Sequence, residues 1–139
     1  MPFKHTRGSA LVEFIFVLPV LCTILFATVE FGLMLFDKNV LVNASRAGAR
    51  YGIISQSGVY PSSSNISSYI QTTYVSNLIS FGSPKPVPTI TVASSVTPPV
   101  KGATLTVTIT YSYNCLIIGS LLKTPCPVVL TTKTVMAYE

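Results

Sequence analysis

"SALVEFIFVLPVLCTILFATVEFGLMLF", residues 9–36, carries only two charges, Glu13 and Glu30. As a helix it would run about 42 Å at 1.5 Å per residue, longer than the roughly 30 Å of bilayer hydrocarbon. The stretch therefore predicts one membrane-crossing helix and leaves the rest of the chain to build a small domain outside the bilayer. Pro19 lies inside the apolar run and is expected to kink the helix or open its hydrogen-bond ladder. Glu30, near the exit, reads as an interfacial carboxylate. Glu13 is harder to explain, because a carboxylate at bilayer depth costs roughly 2.5 to 3.5 kcal/mol on insertion scales.

On the N-terminal side, "MPFKHTRG" is short, polar and basic, which predicts a leader on the cytoplasmic side. Lys38, Arg46 and Arg50 follow the span, so the orientation rests on the short tail as much as on Lys/Arg counting. On the other side, "DKNVLVNASRAGARYG" repeats Val40, Ala44, Ala47 and Tyr51 at helical spacing, and Gly52 is a candidate C-cap. These residues extend the helix over 9–52, apolar in its first half and amphipathic in its second.

Further along, Ile66, Tyr69, Ile70, Tyr74, Leu78 and Phe81 recur at helical spacing behind candidate N-caps Ser62 to Ser64, until "SPKPVPT" ends the pattern. "ATLTVTITYSYN" then alternates Leu105, Val107, Ile109, Tyr111 and Tyr113 with Thr and Ser, the period of a half-buried strand. "VPTITVAS" and "PVVLTTKTVMAY" are its expected neighbours. The predicted class is α+β: a long N-terminal transmembrane and amphipathic helix, one further helix, and an antiparallel sheet of about three strands. The expected divisions are a leader over 1–8, the helix over 9–52 and an exported domain over 53–139.

The net charge of +5 is scattered, without the basic stripe that phosphate binding needs, so no nucleic-acid partner is expected. The only histidine is His5, and the acids are Glu13, Glu30, Asp37 and Glu139. No paired acids, metal-ligand spacing or Gly-rich phosphate loop occurs, which argues against an enzyme and implies no cofactor. Cys22 reads as a small buried hydrophobe. Cys115 and Cys126 bracket "CLIIGSLLKTPC" and are a candidate disulfide in an oxidising compartment, or two thiols in a reducing one.

"RGSALVEF" combines a basic leader ending in Gly8, a new start at Ser9, and Glu13 as the fifth residue after the glycine, all before an apolar helix. It resembles the processing site of type IV prepilins. The resemblance implies cleavage between Gly8 and Ser9 by a prepilin peptidase, and an assembly role for Glu13 as partner of the new amine on a neighbouring subunit. The bland alternative is an acid near a helix N-terminus. A Sec signal peptide fits poorly, since "LFA" ending at Ala27 is a poor cleavage site, and Leu21 spoils a lipoprotein reading of Cys22.

The stretch 8–52, with its Val-Glu-Phe opening, Pro within the span, second Glu near the exit and Ala-Arg-Tyr-Gly close, resembles the N-terminal domain of TadE-like proteins, minor pilin-like components of Tad (Flp) pilus systems. "TVMAYE" resembles the way many of them end. The resemblance implies a structural subunit in the bacterial inner membrane, N-terminus cytoplasmic and C-terminal domain exported, with a place in a cell-surface pilus. Its implied partners are membrane lipid, the peptidase, other pilin-like subunits and the inner-membrane secretion platform. The competing expectation is an uncleaved, single-pass binding or adhesion module.

Overall fold

The computed structural model describes residues 7–55, 58–79, 86–115 and 127–139. Helix α1 (Arg7–Ile53) is followed by α2 (Ser63–Thr73), a 3-10 turn (Val75–Asn77), and strands β1 (Thr89–Ser94), β2 (Thr104–Asn114) and β3 (Pro127–Ala137). This is the α+β arrangement that the apolar run and the alternating C-terminal third predict.

Pro19 does not interrupt α1. Its missing N–H removes one rung of the ladder, while the Thr23 hydroxyl donates to the Pro19 carbonyl at 2.8 Å and Thr28 donates to Ile24. The halves of the helix differ in surroundings. Between Ala10 and Val29 no residue is buried, whereas from Glu30 onward one face packs against the domain. That face is Leu41, Ala44, Ser45, Gly48, Ala49, Gly52 and Ile53. Of the expected seam only Ala44 is fully buried; Val40, Ala47 and Tyr51 lie at its margin. The seam is displaced because its smallest members set the closest approach. A Cβ on Gly48 would stand 2.7 Å from Ile70 Cγ1, and one on Gly52 2.5 Å from Leu105 Cδ2 and 2.6 Å from Ile66 Cδ1. Gly52 thus serves as a packing residue inside the last turn rather than as a cap.

Ser62 caps α2, its side chain accepting from the Asn65 backbone N–H. The helix buries Ile66 and Ile70 and stops at Thr73, short of the span its periodicity predicts. Leu78 still reaches the core, delivered by the 3-10 turn. Phe81 lies outside the described residues.

The sheet has order β1-β2-β3, antiparallel throughout. Its inner face is Leu105, Val107, Ile109, Tyr111 and Tyr113 of β2 with Ile90 and Val92 opposite on one side and Leu130 and Met136 on the other. Each fully buried aliphatic of this kind contributes about 1.5 to 3 kcal/mol. Polar bonds pin β3 to α1: Lys38 Nζ donates to the Thr131 carbonyl at 3.4 Å, Thr132 Oγ1 donates to the Leu41 carbonyl at 3.4 Å, and the Ser45 and Thr134 hydroxyls share a bond of 2.8 Å. The C-terminal half of α1 is therefore part of the domain core, and the N-terminal half projects from it.

Candidate functional site

The projecting half of α1 has almost every large apolar side chain exposed, including Leu11, Phe14, Phe16, Leu21 and Leu25. Surface of this kind needs an apolar environment. By length and hydropathy, α1 qualifies as a membrane-crossing helix. Gly8 and Ser9 fall in its first turn, and Glu13 stands exposed about one turn beyond Ser9. Cys22 is free and only half-buried, so the small-hydrophobe role expected of it is one that lipid or a neighbouring helix would complete.

Residues 8–50 match the family model TadE, described as TadE-like protein. Over these residues the helix is similar to that family. The match ends within the last turn of α1, so it covers both the exposed apolar half and the half that packs on the sheet. The match likens this helix to that of a pilus-associated family, and its length and apolar composition are consistent with a membrane anchor. No curated protein and no solved structure matches the chain.

Where α1 leaves the apolar stretch, it buries two acids against the sheet. Glu30 is 4 % exposed and Asp37 fully buried, seven residues apart on the face that continues to Leu41. Neither placement follows from hydropathy, which puts Glu30 at the interface and leaves Asp37 alone at the membrane edge. Asp37 Oδ1 accepts a 2.9 Å hydrogen bond from the Ile79 backbone N–H, tying α1 to the segment after the 3-10 turn. Across from the helix, burial raises the Tyr113 phenol above its ordinary range, and the fields of Glu30, Asp37 and Tyr111 raise it further. Among the described residues, neither the Tyr113 hydroxyl nor Asp37 Oδ2 has a hydrogen-bond partner.

These contacts separate two kinds of substitution. Tyr113→Phe removes a buried hydroxyl that gains nothing in the fold, and is expected to leave stability unchanged or raise it by about 1 kcal/mol. Asp37→Ala strips the acceptor from a buried N–H and should cost about 1 to 3 kcal/mol, whereas Asp37→Asn keeps an acceptor there and should cost less. Thermal unfolding of the detergent-solubilised chain, followed by circular dichroism, checks the order. A stabilised Asp37→Ala or a strongly destabilised Tyr113→Phe would contradict it.

The remaining candidate residues are not gathered at this junction. Cys115 follows β2 and is disulfide-bonded, while Cys126 lies outside the described residues. Among the described residues no group of three or more His, Cys, Asp or Glu could hold a metal ion. The outer face of the sheet is rich in threonine, with Thr89, Thr110 and Thr131 in one cross-strand row.

Proposed function

We propose that this chain is a minor pilin-like subunit with a structural role in Tad-type pilus assembly and secretion. In this reading it sits in the bacterial inner membrane, N-terminus in the cytoplasm and sheet domain exported. The observation that supports it is the continuity of α1: one TadE-like helix carries Glu13 on a bare apolar half and enters the core of a folded domain with its other half. A prepilin peptidase cuts between Gly8 and Ser9, and the new amine pairs with Glu13 of a neighbouring pilin-like subunit. Two opposite charges at membrane depth cost little together and several kcal/mol apart. Export also places Cys115 and Cys126 where a bridge between them persists.

The threonine-rich outer sheet face favours a second reading, an uncleaved membrane-anchored adhesion module whose helix is only a tether. Intact mass and N-terminal sequencing of the chain from its native membrane separate the two. An N-terminus at Ser9 is expected. A chain that keeps Met1 or Pro2 would sink the amine pairing and leave the tether.

A further inference from the structure

The face of α1 turned away from the sheet has a charge pattern that processing at Gly8 does not use. Asn39, Asn43, Arg46 and Arg50 recur at spacings of four, three and four, and all four are exposed. At about 100° per residue they form one seam. The acids of the same half-helix, Glu30 and Asp37, are buried on the opposite side. No ion pair engages Arg46 or Arg50 among the described residues; Arg50 lines a shallow cavity with Glu139 without bonding to it. Beyond Glu30 the described, exposed charges are Lys38, Arg46, Arg50, Lys101 and Lys133 against Glu139 alone. Toward the membrane the seam continues without a break as Leu25, Val29, Gly32 and Phe36, also exposed. A Cβ on Gly32 would meet nothing within 4 Å, which leaves room for a second backbone.

We infer that this seam docks the acidic face of a helix from a different membrane-anchored subunit, apolar where it lies beside Leu25 to Phe36 and carrying carboxylates at three-and-four spacing beside Asn39 to Arg50. A helix is required because the stripe runs on into apolar surface that only lipid or a spanning element can cover, and single spanning segments are helical. A second copy in register would set arginine against arginine. Lipid headgroups are too far, since Arg46 lies about 15 Å along the helix from Phe36, where the apolar surface ends, beyond a Debye length of about 8 Å. The inference rests on the proposed function only in taking α1 to cross a membrane; cleavage at Gly8 plays no part.

The test co-reconstitutes two differently tagged full-length chains in phosphatidylcholine vesicles and measures their co-purification after mild solubilisation. The acidic partner is supplied by the chain itself, as R46E/R50E or, in a second variant, R46D/R50D. Wild type is expected to recover either variant about five-fold better than it recovers wild type, and the gain should vanish as high salt shortens the Debye length to about 3 Å at 1 M. K101E/K133E changes the net charge as much as R46E/R50E and should recover no better than wild type. Recovery of K101E/K133E as high as that of the seam variants, or no gain with either seam variant, overturns the inference. Wild-type pairs as abundant as mixed pairs would assign the seam to a second copy, and loss of mixed pairs in a phosphatidylglycerol-rich bilayer would assign it to lipid; both outcomes also overturn it. None of these results alters the N-terminal sequence, so the two proposals fail separately.

Discussion

Glu13→Gln is expected to abolish surface pili while leaving the amount of membrane-inserted chain unchanged or slightly raised. The carboxylate stands exposed on the bare half of α1, where nothing in its own chain's core uses it. If it serves only as an acid near a positive helix end, its charge is worth about 0.3 to 1 kcal/mol, and Gln would be nearly silent. If it neutralises the amine of a neighbouring subunit in a water-poor bundle, its loss strands a buried cation and costs about 3 to 5 kcal/mol at every such contact. Insertion itself improves when a charge is removed from an apolar span. Membrane level and pilus level should therefore move apart, which general misfolding would not produce. Immunoblots of the sheared-pilus and membrane fractions read both. Wild-type pilus levels with Glu13→Gln would leave Glu13 a helix-end acid and favour the tether.

Much of the architecture is legible in the chain because two periods are clean. The alternation of Leu105, Val107, Ile109, Tyr111 and Tyr113 with Thr and Ser fixes which face of β2 is buried, and the register delivers all five to the core. The apolar length of 9–36 fixes a helix long enough to span. The packing half of α1 is harder, because hydropathy ranks residues by their affinity for oil and this seam is chosen by size. Ser45, Gly48 and Gly52 score as polar or neutral and are buried, while Val40 and Tyr51 score as apolar and sit at the edge. Glu30 and Asp37 are missed for the same reason, although their spacing to Leu41, Ala44 and Gly48 follows the three-and-four rhythm that marks one helix face. The end of α2 is obscured because the 3-10 turn keeps Leu78 pointing inward after the helix has stopped. Glu13 carries its signal in sequence context alone, since an exposed acid on an unpartnered helix has no local geometry to single it out.

The close approach of α1 to the rest of the domain sets the second large expectation, that Gly48→Leu lowers the melting temperature of the solubilised chain by about 10 °C. Leucine gains about 0.8 kcal/mol over glycine in helix propensity, so a substitution with room for it should stabilise. At Gly48 there is no room: the first added carbon already meets Ile70 Cγ1 at 2.7 Å, and Ile70 is 1 % exposed with no solvent to retreat into. Accommodating the remaining atoms requires α2 to move off α1, which breaks the packing of Ile66 and Ile70 against the seam. Overpacking of this kind costs typically 1 to 3 kcal/mol and more when an element must shift, and each kcal/mol is worth roughly 4 to 8 °C for a domain near 100 residues. Gly32→Leu is the internal control, on the same helix but with nothing within 4 Å of the new Cβ, and should melt no lower than wild type. If Gly48→Leu melts like Gly32→Leu, α2 does not sit against the glycine seam, and the burial of Glu30 and Asp37 on the same helical face would lose its support as well.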